Sequence, residues 1–110
     1  MSELSTLERL AAVIASRREG DGNKSYTRQL LDAGPEKCAK KFGEEAIETV
    51  LAAVAPETGP LMAEAADTLY HLLVLLESRG VPLADVYAVL ERRMGTSGLD
   101  EKAARGKSSS

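Results

Sequence analysis

From Leu69 to Leu76 the chain reads Leu-Tyr-His-Leu-Leu-Val-Leu-Leu, a run that is apolar nearly all the way round a helix. No other feature constrains the fold as tightly, because such a helix must be buried on most of its sides. It is expected over about 60–79, with Gly80 placed to close its end. A chain of 110 residues forms one domain and is too small for two independent cores. The other helices of so small a monomer can hardly enclose this one. A second copy of the chain, in a symmetric homodimer, is therefore expected.

Periodicity supplies the neighbouring helices. Leu4, Leu7, Leu10, Ala11 and Ile14 recur at helical intervals and predict an amphipathic helix over about 3–19. The stretch 20–25, Gly-Asp-Gly-Asn-Lys-Ser, reads as a loop, and Tyr26 to Leu31 as a short helical turn closed by Gly34. Pro35 suits the first turn of the next helix, which runs to about Val54. There Ala39, Phe42, Ala46, Val50 and Ala53 form an apolar stripe, widened by Ile47, Leu51 and Val54. Pro56, Gly59 and Pro60 break that helix, and a last one, over about 82–94, carries Leu83, Val86, Tyr87 and Leu90 on one face. Apolar residues that are mostly Leu, Ala and Val, with no Trp, suit helix packing better than a sandwich of strands. The expected fold is all-α: a four-helix chain in a dimeric helical bundle. Its domain covers residues 1–95, and the Gly-, Ser- and Lys-rich stretch 96–110 reads as a flexible tail.

A net charge of -3 argues against a general nucleic-acid binder, which needs a basic surface. It also leaves any polyanionic substrate dependent on local cations or on a metal. The one cysteine, Cys38, excludes an intrachain disulfide framework and reads as a small core residue. Glu3, Glu8 and Arg9 interrupt the start, where a signal peptide needs an apolar core. No apolar run approaches the roughly 18 residues of a membrane span, so a cytoplasmic protein is expected. The ending Gly106-Lys107-Ser108 is not a P-loop, since the motif's first glycine falls on Glu101 and no strand precedes it.

Glu44, Glu45 and Glu48 fall within an arc of about 100° on the flank of the apolar stripe. Their mutual repulsion costs a few tenths of a kcal/mol per pair, and Lys37, Lys40 and Lys41 lie a turn or more N-terminal rather than among them. On the strongly apolar helix Glu64, Asp67 and His71 share a face, and Ala63, Ala65 and Ala66 let another helix approach closely. A solvated surface explains either cluster alone, but two on neighbouring helices favour a converging set. Converging carboxylates need cations between them, and oxygen-only ligation selects a hard ion such as magnesium (Mg2+). That chemistry is metal-assisted hydrolysis of a phosphate linkage, with a spare carboxylate to take the proton of the attacking water. Lys37 and Lys41 are candidates to receive phosphates, against the plainer reading of a basic turn. A di-iron carboxylate bundle is disfavoured, because its paired Glu-x-x-His motifs are absent. A non-enzymatic helical dimerisation module stays open as the alternative.

Glu44-Glu45-x-x-Glu48 followed by Glu64-x-x-Asp67 resembles the signature of the all-α, MazG-like nucleotide pyrophosphohydrolases. The flanking residues narrow this. Ser25-Tyr26-Thr27, Gly34-Pro35-Glu36-Lys37, Lys41-Phe42-Gly43, Leu69-Tyr70-His71-Leu72-Leu73 and Arg79-Gly80-Val81 resemble the phosphoribosyl-ATP pyrophosphohydrolases of histidine biosynthesis, over about residues 4–105. The resemblance implies magnesium-dependent cleavage of phosphoribosyl-ATP between its α and β phosphates, by a homodimer. It implies Glu45, Glu48, Glu64 and Asp67 as metal ligands, and Glu44 as the group that positions or deprotonates water. It also raises Asn23, Ser25 and Tyr26 from turn formers to substrate contacts, and His71 from a core residue to a neighbour of substrate or of Asp67. Relatives acting on other nucleotides or dNTPs share the acidic signature. Many phosphoribosyl-ATP pyrophosphohydrolases carry a fused cyclohydrolase domain, for which this chain is too short.

Overall fold

The computed structural model describes residues 4–19 and 25–95. Its helices are α1 (Thr6–Ser16), α2 (Tyr26–Ala33), α3 (Pro35–Ala53), α4 (Gly59–Ser78) and α5 (Leu83–Met94), with no strand among the described residues. The all-α class holds, with one helix more than periodicity predicts. The addition is α2, an 8-residue helix where a single turn was expected. Two local signals define it. The Ser25 hydroxyl accepts a hydrogen bond from the Arg28 N–H at 3.1 Å, and Gly34, at φ 99°, ends the helix in a conformation that side chains disfavour. Eight residues are too few for a hydrophobic repeat to register. Asn23 and the proposed tail 96–110 lie outside the described residues.

The other ends follow local chemistry as well. Ser5 and Glu8 form a reciprocal capping box on α1, with bonds of 3.1 and 2.7 Å, and the Glu8 carboxyl is held below its ordinary range by the Ser5 N–H. At the far end of α4, Gly80 has φ 70°, its N–H bonds the Glu77 carbonyl at 3.0 Å, and the Val81 N–H reaches back to Leu76 at 2.9 Å. This paired closure is the Schellman motif, and it turns the chain sharply into α5.

Packing is dominated by α3 against α4, with α1 laid on α4 and α2 across both α3 and α4. The core gathers Ile14 from α1, Leu30 and Leu31 from α2, Cys38 from α3, and Leu73 and Val74 from α4. Cys38 is a core residue as expected, its thiol donating to the Leu30 carbonyl at 3.2 Å. Arg18, just past α1, pairs with Glu77 near the end of α4.

Two details differ from the periodicity reading. The C-terminal half of α4 is largely enclosed within one chain: His71, Leu73 and Val74 are buried, and Leu72, Leu75 and Leu76 half-buried. Uncovered apolar surface remains on the first half of α4, where Met62 is 67% and Leu69 43% exposed, and a larger patch lies on α3. Ile47, Val50, Leu51 and Val54 are 63–83% exposed and occupy the side facing away from α4. The single broad stripe of the sequence is thus two faces, since Phe42 and Ala46 are half-buried while these four are not.

Candidate active site

Antiparallel packing of α3 and α4 brings their acidic residues together. One carboxylate oxygen each of Glu45, Glu48 and Glu64 lies within 4.8 Å of the other two. Glu45 and Glu64 are half-buried and Glu48 is exposed, so the group opens to solvent on one side. Glu64 Oε2 is shut off from solvent and has no hydrogen-bond partner. A buried carboxylate oxygen without a donor is costly, and a cation would supply a partner for it. The Glu48 carboxyl is held above its ordinary value, first by its hydrogen bond to Glu45 and by the charge of that same neighbour, and further by Asp67. The arrangement therefore fits a hard divalent ion, on the chemistry of its donors and on the orphaned oxygen of Glu64.

The remaining predicted residues surround this group. Asp67 is one turn beyond Glu64 on α4, outside the group of three, and is exposed. Glu44 is also outside it, with its carboxylate 3.5 Å from Lys41 Nζ. Lys37, Lys41, Glu44 and Glu48 line up along one side of α3, where spacings of three, four and seven residues align side chains. The Tyr26 phenol, and then Glu44 and Glu45, hold the Lys41 ammonium above its ordinary value against the opposing effect of burial. Tyr26, half-exposed at the start of α2, sits edge-on to His71 with ring centroids 6.1 Å apart. His71 is buried between Tyr26 and Tyr70, and its Nδ1 has no partner. Burial first, and then the Lys41 charge, lower the imidazole below its usual 6.5, which keeps it neutral at neutral pH. Ser25 acts as the cap of α2, the plainer of its two expected roles.

Two residues of the site were not singled out from the sequence. Thr49 Oγ1 lies 2.7 Å from Thr68 Oγ1, 3.0 Å from the Glu45 carbonyl and 3.1 Å from that of Glu64. Thr68 Oγ1 lies 3.0 Å from the Glu45 carbonyl. The signal was present in the spacing. Thr49 follows Glu45 by four residues and Thr68 follows Glu64 by four, so each threonine sits one turn beyond a site carboxylate.

The sequence pattern described as phosphoribosyl-ATP pyrophosphohydrolase matches residues 7–94, a span that contains every one of these side chains. The chain belongs to the phosphoribosyl-ATP pyrophosphohydrolase family. It is 57% identical to the phosphoribosyl-ATP pyrophosphatase of Cereibacter sphaeroides over 103 residues, which is 94% of this chain and the whole of that relative. It is also 57% identical to phosphoribosyl-ATP pyrophosphatase 1 of Rhodopseudomonas palustris over 91% of this chain and 94% of the relative. For the phosphoribosyl-ATP pyrophosphatase of Dinoroseobacter shibae the figures are 56% identity, 93% and 100%.

Membership in this family sets an expectation for the raised Glu48. A carboxyl held above its unfolded value contributes stability below that value and loses it as pH rises through the raised one. Without metal, therefore, the folded protein is penalised above the ordinary carboxylate range, where the Glu48 carboxyl must ionise beside Glu45. A cation in the site removes that penalty. Magnesium at a hundredfold excess over its Kd is worth about 2.7 kcal/mol and is expected to raise the melting temperature by about 10 °C at pH 7.5. The gain should shrink at pH 5, where a proton competes for Glu48. A melting temperature indifferent to magnesium at both pH values would mark these carboxylates as a solvated surface.

Proposed function

We propose that this chain hydrolyses phosphoribosyl-ATP to phosphoribosyl-AMP and pyrophosphate, the second step of histidine biosynthesis, with magnesium as its cofactor. The observation that carries the reading is the convergence of Glu45, Glu48 and Glu64 within 4.8 Å, in a member of this family. These three residues, with Asp67 one turn away, are the ligands assigned to the ion. When bound, magnesium neutralises the phosphates and makes a coordinated water more acidic.

The chain's own groups supply the rest. Lys37 and Lys41 extend the acidic line of α3 with positive charge, and Lys41 is held firmly protonated, so the phosphate chain is assigned to this side of the helix. Glu44 Oε1 shares the Lys41 ammonium and is assigned to orient the attacking water and receive its proton. Water adds at the α phosphorus and the bond to the bridging oxygen breaks, so that pyrophosphate leaves. Tyr26, exposed above His71, is assigned to the nucleoside or ribose, together with Ser25 and Asn23. Neutral His71 supports the Tyr26 ring from beneath and faces Asp67 without competing for the cation.

The active form is proposed to be a homodimer joined through the exposed apolar side of α3. Among the described residues no helix is long and apolar enough to cross a membrane, and the buried lone thiol suits the reducing cytoplasm assigned to this enzyme. Incubation with phosphoribosyl-ATP and a panel of NTPs and dNTPs, with and without magnesium, tests the reading. Expected products are phosphoribosyl-AMP and pyrophosphate, at a rate well above that for any other nucleotide. A preference for a dNTP would move the chain to another branch of the superfamily, and release of orthophosphate would overturn the cleavage position.

A further inference from the structure

We propose that Thr49 and Thr68 are positioning residues, whose paired hydroxyls fix the α3–α4 register that brings the Glu45, Glu48 and Glu64 carboxylates together. The inference rests on reading those carboxylates as the metal site. Its basis is the four short contacts at one level of the helix pair. Thr49 and Thr68 meet at 2.7 Å, Thr49 reaches the Glu64 carbonyl across the interface at 3.1 Å, and Thr68 reaches the Glu45 carbonyl at 3.0 Å. Thr49 also touches the Glu45 carbonyl of its own helix at 3.0 Å.

Each hydroxyl has a single proton, so two protons serve these contacts. In one arrangement Thr68 donates to Thr49, which donates to the Glu64 carbonyl or to that of Glu45. In the other Thr49 donates to Thr68, which donates to the Glu45 carbonyl. Both arrangements send at least one bond from α3 to α4, and both end on the main chain of a residue whose carboxylate belongs to the group of three. Both threonines are half-buried, where such bonds are stronger than in water and an unpaired hydroxyl is costly.

Register matters here because a helix couples translation to rotation. A slip of one residue moves a side chain by about 1.5 Å along the axis and about 100° around it, which is enough to carry Glu64 away from Glu45. Apolar contacts between small residues resist such a slip weakly, since they are non-directional. The threonine pair is directional, and it sits one turn from both half-buried carboxylates. Its role is to make the acidic group a preformed site despite the repulsion within it.

The test compares Thr49→Val/Thr68→Val, Thr68→Val alone, and Thr49→Ser/Thr68→Ser with the wild-type chain. Magnesium affinity is measured on the metal-free proteins by calorimetry, and the magnesium dependence of pyrophosphate release is measured alongside. The double valine variant is expected to bind magnesium about tenfold more weakly or worse, with the serine pair within about twofold of wild type, as for other groups that orient metal ligands. Its rate should recover most of the wild-type value once magnesium saturates, separating a metal-affinity effect from one on turnover. Thr68→Val should fall in between, and it decides the matter if the double variant does not fold. Wild-type magnesium affinity in the valine variants, with only a lowered metal-free melting temperature, overturns the proposal. So does a serine pair as weak as the valine pair. If Glu45→Gln binds magnesium as tightly as wild type, the metal-site reading itself falls, a result distinct from both.

Discussion

Glu45→Gln is expected to abolish magnesium-dependent pyrophosphate release while leaving the fold at least as stable as before. Glu45 is the carboxylate on which the site turns. It is half-buried, it hydrogen-bonds Glu48, and it lies within 4.8 Å of Glu64 on the facing helix. Glutamine keeps its shape but removes the charge assigned to hold the cation. Losing several kcal/mol of charge stabilisation in the transition state corresponds to a rate lower by about a thousandfold or more. Stability should move the other way in the metal-free protein, because the substitution removes the neighbour that raises Glu48. The backbone carbonyl of Glu45, to which both threonines point, is unchanged. Pyrophosphate release and thermal melting on one preparation check this. Activity near the wild-type level would remove Glu45 from the reaction, and a lower metal-free melting temperature would contradict the account of its repulsion with Glu48.

Leu51→Glu is expected to convert the proposed dimer into a monomer with its helices intact. Ile47, Val50, Leu51 and Val54 follow one another at spacings of three and four residues, which places them in an arc of about 100° on the outer side of α3. Leu51 is 64% exposed and Val54 83% exposed in the single chain. Burying side chains of this size is worth about 1.5–3 kcal/mol each, and a two-fold contact counts each of them twice. A glutamate at position 51 would bring two like charges into that contact without touching the core of the chain. Sedimentation of wild type and variant at micromolar concentration reads the outcome. A variant that sediments as wild type does, with an unchanged helical circular dichroism spectrum, would place the dimer contact elsewhere or leave the chain monomeric throughout.

Much of this was legible in the sequence because the signals are local. Ser5 with Glu8, Pro35 at the start of α3 and Gly80 past the end of α4 each satisfy main-chain groups within a turn of themselves. The spacing of Glu45 with Glu48, and of Glu64 with Asp67, places each pair on one face of its helix before any packing is considered. The short α2 was harder, since its eight residues carry caps but hardly two turns of pattern. The uncovered apolar surface was harder to place, because it is shared between α3 and the first half of α4, where Met62 and Leu69 are exposed. The helices α1, α2 and α3 cover the second half of α4, and the larger exposed apolar face is that of α3.

By itself, then, the sequence determined that the chain is helical, where most of its helices end, and that two acidic faces lie on neighbouring helices. Tertiary structure alone decided which carboxylates meet. It gathered Glu45, Glu48 and Glu64, left Asp67 one turn out, and gave Glu44 to Lys41. It also set Thr49 against Thr68. The physical reason is that an i, i+4 relation is written into one helix, whereas the rotation and register of two helices depend on every side chain between them.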